Sequence, residues 1–123
     1  MITGVVTPQH QAVIPLTLQD WHGQPETVDA IVDTGFNGFL TLPLPRIAQL
    51  RFPYEGIAEV ILGDGDTVRL DSFAATVLWD GEVRTGLVLA ADGLPLVGMD
   101  LLADSRVCLD VTANGPVTIE RLP

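Results

Sequence analysis

Ala30-Ile31-Val32-Asp33-Thr34-Gly35 is the stretch on which the reading of this chain turns. An apolar run delivers an acid, a hydroxyl and a glycine into a turn. The run has the character of a buried strand, and glycine right after it lets the backbone turn where a larger residue would strain. The carboxylate of Asp33 is thereby set at the mouth of a core rather than on a solvated face. Burying a charge is costly unless it is paired, so the acid needs a reason to be there. An Asx-type turn that merely closes a strand uses the same residues, and the tripeptide alone does not separate a structural acid from a chemical one. The segments around it bear on the choice.

The chain has 123 residues, enough for one domain with a real core. Hydrophobic residues make up 47% and charged residues 18%, which excludes a disordered chain. The apolar runs are too short to cross a bilayer, and the N-terminus lacks the basic start and long apolar run of a signal peptide. A cytoplasmic protein is expected. The single Cys108 agrees, because it allows no internal disulfide. Six basic against sixteen acidic residues give a net charge of −10, which argues against nucleic acid and anionic membranes as partners.

Nine prolines and twelve glycines cut the sequence into short pieces rich in Val, Ile, Leu and Thr, the pattern of an all-β sandwich or barrel. Strands are expected over residues 2–7, 12–18, 27–32 and 39–42, with Pro15 at an edge or a bulge. Proline suits a first helical turn, so Pro45 opens a helix over residues 45–50. Residues 58–62 and 67–70 flank Gly63-Asp64-Gly65-Asp66, and residues 73–79 and 82–90 flank Asp80-Gly81. Both are hairpin signals. Leu96-Val97 is a short apolar piece before Gly98, residues 99–105 read as a short helix, and residues 106–111 and 117–121 read as the last strands. No linker or low-complexity segment interrupts residues 1–123, which read as a single domain.

Three features now stand in order. Ile31-Val32-Asp33-Thr34-Gly35 comes early, a glycine-rich hairpin over residues 61–68 in the middle, and Leu96-Val97-Gly98-Met99-Asp100-Leu101-Leu102 late, before a strand containing Cys108. In order, spacing and length the chain resembles the retroviral aspartic proteases and their single-domain cellular and bacterial relatives, the retropepsin-like proteins. The resemblance covers nearly the whole chain. It implies a closed-barrel-like acid protease fold with one or two short helices, one lobe per chain, in a two-fold homodimer whose terminal strands interleave. It implies that Asp33 is the catalytic acid, that Thr34 hydrogen-bonds across the dimer, and that Gly35 lets the loop backbone approach the acids. The hairpin bearing Gly63, Asp64, Gly65 and Asp66 would be a flap over a peptide or protein substrate. Leu96, Val97 and Gly98, with the helix after them, would complete the core beneath the acid loop. No cofactor is implied. The chain departs from the family at Phe36, where Ala or Ser is usual, at Asn37 and Gly38, where retroviral enzymes carry acids that bind substrate backbone, and at Met99, where they carry an arginine.

Peptide hydrolysis by this route needs two carboxylates on one water, one accepting its proton and the other donating to the substrate carbonyl. Two acids so close cannot both ionise, so the pair shares a proton. The chain has one Asp-Thr-Gly. The second acid must therefore come from a second chain.

Other residues have simpler readings. Asp64 and Asp66 lack the rest of a calcium-loop pattern, and His10 and His22 are too few for a zinc site, so no metal is expected. Cys108, within Val107-Cys108-Leu109, reads as a small buried hydrophobe. Trp21 and Trp79 read as core-edge packing, and Phe36 as either a groove wall or core filling. Two functional readings remain: an aspartic endopeptidase, or a catalytically silent relative that dimerises or grips an extended peptide by strand addition.

Overall fold

The computed structural model describes residues 1–61 and 64–123. Its strands are β1 (Ile2–Val6), β2 (Ala12–Gln19), β3 (Pro25–Val32), β4 (Leu40–Leu42), β5 (Tyr54–Ile61), β6 (Thr67–Trp79), β7 (Glu82–Ala90), β8 (Leu96–Val97), β9 (Ser105–Leu109) and β10 (Pro116–Arg121). Two short helices, α1 (Leu44–Leu50) and α2 (Met99–Leu102), complete it. Strand takes 55% of the chain and helix 9%, which makes the class all-β.

The strands join in the order β5-β6-β7-β4-β8-β3-β2-β1-β10-β9, and a further pairing of β2 with β6 closes six of them into a ring. Alternation explains how the ring fills. Along β2, Ala12, Ile14, Leu16 and Leu18 are buried while the residues between them are not. They meet Val28, Ala30 and Val32 of β3, Val77 and Trp79 of β6, and Ile47, Leu50 and Leu101 of the helices in one cluster. Each large apolar side chain fully buried there contributes about 1.5–3 kcal/mol. Pro15 is tolerated because it falls between Val13, which pairs with β1, and Thr17, which pairs with β6. One side of β2 has no neighbour there, and the missing N–H is not needed. The Asp80-Gly81 turn forms as expected, with both residues at positive φ (49° and 82°), the geometry a two-residue hairpin demands.

Two features position the acid. β8 lies between β3 and β4, parallel to the first through Ile31↔Leu96 and Val32↔Val97 and antiparallel to the second through Leu40↔Val97. The chain leaving β3 must pass the end of β8 to reach β4, and residues 33–39 make that passage. Thr41, buried in β4, accepts a hydrogen bond from the Leu96 amide through its Oγ1 at 3.0 Å and so ties β4 to β8.

Several expectations change. Residues 67–70 and 73–79 belong to one strand, because Ser72 is buried and its hydroxyl donates to the Gly56 carbonyl at 2.9 Å. A bulge between Tyr54 and Gly56 bends the partner strand at that level. α2 stops at Leu102, where the chain turns through Asp104 at φ 61°. Within the single chain, β1 pairs with β10 through Ile2↔Ile119 to Val5↔Pro116. Cys108 is exposed, because β9 is the last strand of the sheet. Trp79 is in the core, but Trp21 is 54% exposed, with the Arg51 guanidinium 4.5 Å from its ring. No helix is long and apolar enough to cross a membrane among the described residues.

Thr41→Val keeps the shape of the side chain and removes the acceptor for the Leu96 amide. The variant should lose about 1–3 kcal/mol of stability, read as a lower midpoint of urea unfolding. An unchanged midpoint would show that this bond does not hold β8.

Candidate functional site

The acid loop is fastened through its backbone. The Asp33 amide donates to the Val97 carbonyl at 2.9 Å, and the Phe36 amide donates to the Asp33 carbonyl at 3.2 Å. Asp33 Oδ1 accepts the Gly35 amide at 3.0 Å, an Asx-type turn that leaves the half-buried carboxylate at the loop surface. The first amides of a helix have no acceptor within it. Here the loop carbonyls serve: Gly98 donates to Phe39 at 3.1 Å, Met99 to Phe36 at 2.8 Å, and Asp100 to Gly38 at 3.1 Å.

This close docking requires glycine. A Cβ on Gly98 would run into the Gly38 carbonyl and sit 2.6 Å from Phe36 Cδ2, and one on Gly38 would sit 2.6 Å from Phe36 Cζ. The Phe36 ring therefore packs on both glycines. At the other end of α2, Arg84 Nη1 donates to the Leu101 carbonyl at 2.9 Å, satisfying an orphan acceptor of the helix end. Arg84 also lies 3.6 Å from Glu82 Oε2 and 5.9 Å from the Trp79 ring centre.

A groove of about 270 Å³ opens between the acid loop and the β5–β6 hairpin. Asp33, Gly35, Phe36 and Leu96 form one side, and Val60, Ile61, Val68 and Leu70 the other. Asp33 is the only ionisable residue among the described residues lining it. A second recess, of about 410 Å³, lies between residues 35–38 and Ala58, Glu59, Val60 and Ile61 of β5. Phe36 lines both recesses while its ring packs on Gly38 and Gly98.

The structure brings Asp33, Gly35, Phe36 and Leu96 together in one groove. Thr34 is exposed beside them, while Val97 and Gly98 are buried behind the loop. Asp64, Gly65 and Asp66 are exposed at the hairpin end, where the Asp66 amide donates to Asp64 Oδ1 at 2.9 Å, and they line neither recess. Gly63 lies outside the described residues. The hairpin residues that face the acid loop went unremarked in the sequence, although alternation marks them: Ala58 pairs with Leu70 and Val60 with Val68, so all four share one face. Arg84 gave no such sign. No cluster of metal-binding side chains occurs among the described residues.

No family model, curated protein or solved structure matches the chain.

Gly98→Ala should push the acid loop away from α2. Overpacking of this kind costs about 1–3 kcal/mol, read as a lower thermal midpoint, and any activity that depends on Asp33 should fall with it. A variant of wild-type stability would show that the loop docks less closely than described.

Proposed function

We propose that the chain is one half of a two-chain aspartic endopeptidase of the retropepsin-like type. The observation that carries the reading is the apolar groove of about 270 Å³ in which Asp33 is the only ionisable group among the described lining residues, walled opposite by the inner face of a hairpin. An extended peptide laid in it would have its backbone beside the acid and its apolar side chains against Val60, Val68 and Leu70. Asp33 from each chain would hold one water between them. The ionised acid takes a proton from the water as it attacks the carbonyl carbon, and the protonated acid donates to the carbonyl oxygen. The exposure of Thr34 in the single chain agrees with a loop that finishes its hydrogen bonding on a partner. The six-stranded ring, with β8 between the strands that flank the acid loop, agrees with the acid protease fold.

A second reading is favoured by one observation. β5 is a free edge beside the 410 Å³ recess among the described residues, so a silent relative would bind an extended chain there by strand addition.

Asp33→Asn separates the two. It keeps the size of the side chain and removes the ionisable group from both chains. Turnover of a peptide library between acidic and neutral pH should fall by at least about 10²-fold, with fold and sedimentation unchanged. Activity undiminished by the substitution overturns the enzyme reading, and peptide binding without cleavage by wild type establishes the silent one. The exposed acids Asp64 and Asp66 give a further expectation. Peptides with basic residues beyond the cleavage site should be cleaved faster than acidic ones, more so at low salt. Asp64→Asn with Asp66→Asn should flatten that preference, and a preference unaltered by the pair would show that this hairpin does not cover the substrate.

A further inference from the structure

The sheet of the described residues ends at β5 and β9, and the two edges differ. β5 is unsuited to a copy of itself. It carries Glu55 and Glu59, like charges that oppose a second identical strand without barring a peptide that lacks acids there. An antiparallel copy laid across it about Ile57 would set Glu55 against the partner's Glu59. β9 carries no proline, and its pairing with β10 runs without a register shift.

The inner face of β9 is also unfinished. Val107 stands opposite buried Ile119, and Leu109 opposite buried Val117, so both lie on the core side of the sheet. Leu109 is nonetheless 39% exposed, because no further strand follows. An apolar face that runs uncovered to an unguarded edge is the form of an interface cut open.

The sequence of that edge is complementary to itself. We propose that a second copy of this chain pairs antiparallel along β9, with the two-fold axis at Cys108. In Arg106-Val107-Cys108-Leu109-Asp110 the register then sets Arg106 opposite Asp110 of the partner subunit, Val107 opposite Leu109 of the partner subunit, and Cys108 opposite its own mate. Opposite charges meet at both ends of the seam and apolar side chains meet on the core side. Arg106 already lies 3.5 Å from Glu120, but both groups are solvent-exposed, and a pair of that kind holds its arginine weakly. Among the described residues its remaining guanidinium donors have no second carboxylate, and the fork can take one. Two sheets joined this way continue β1-β10-β9 into the same three strands of the partner. The terminal strands need not interleave, which is consistent with β1 and β10 being paired within the chain. The seam rests on the two-chain reading of the Asp33 site for its purpose, but its test does not use activity.

Sedimentation should give wild type twice the 13.2 kDa chain mass at micromolar concentration. Arg106→Glu sets like charges opposed at both ends and should weaken the dimer about ten-fold or more. Adding Asp110→Arg to that variant should bring the dissociation constant back to within about three-fold of wild type, because the two sites are then coupled across the seam. Circular dichroism melts report that each variant is folded. Oxidation by copper phenanthroline should link wild-type chains through Cys108, since directly opposed residues lie about 4.5–5.5 Å apart at Cα, within disulfide reach. Arg106→Glu at a concentration where it is monomeric should not link. A monomeric wild type, a single reversal that leaves the dissociation constant unchanged, a double reversal that fails to restore it, or a wild-type dimer that does not cross-link each overturns the seam. A dimer formed elsewhere that still needs Asp33 for turnover overturns the seam and leaves the acid reading standing. A β9 dimer that cleaves nothing does the reverse.

Discussion

The hydrogen bonds between the acid loop and the start of α2 are the constraint from which the site follows. Each side has groups it cannot satisfy alone. The helix begins with amides that have no acceptor behind them, and the loop passes β8 with carbonyls that belong to no strand. The Gly98, Met99 and Asp100 amides meet the Phe39, Phe36 and Gly38 carbonyls, and both deficits close at once. Near the core, where an unmade bond carries its full desolvation cost, this leaves the loop little freedom. Asp33 inherits that rigidity through its own amide on Val97. The two glycines at the contact are part of the same bargain, since any side chain at Gly98 would hold the surfaces apart.

The ring and the hairpin meet the site from the other side. β6 is long enough to serve both, its lower half closing the barrel against β2 and its upper half pairing with β5 as a groove wall. The change of role comes at Ser72, whose hydroxyl is spent on the Gly56 carbonyl opposite the bulge. Polar Asp71 and Ser72 thus lie inside one continuous strand, opposite the bulge of β5. A reading by composition breaks there, because a polar pair between apolar runs has the same appearance whether the chain turns or runs on.

What was legible in the sequence was local. Asp80-Gly81 names its own turn, because positive φ at both positions is a property of the two residues and not of their surroundings. The Asp33-Thr34-Gly35 turn, the β8–α2 segment and most strands were legible for the same reason, and so was the awkward position of Pro15. The misreadings concern the order of strands in the sheet. Cys108 sits in an apolar run, but whether such a run is covered depends on whether another strand lies beyond it, and β9 is last. Trp21 follows the same logic, finding Arg51 and His22 on the surface rather than a core. The inner face of the hairpin was written in the alternation of Ala58 and Val60 with Val68 and Leu70, and needed only the register to be read. Arg84 was not legible at all, because its acceptor is the backbone of Leu101, and a carbonyl leaves no mark in a sequence.

The pairing of β1 with β10 brings Ile2 beside Ile119, almost the full length of the chain apart. Contacts between such distant residues carry a large loop-closure cost, and a fold rich in them belongs to the slower-folding class. They also join the two ends of the chain inside a single molecule. Folding of this chain is then a first-order event that runs at the same rate at any dilution. The joining of two chains proposed above would be a separate second-order event, governed by how many are present. Had the ends been exchanged between protomers, neither event would finish without the other. A chain built this way reaches its fold alone, and any pairing proposed for it would be decided by abundance rather than by folding.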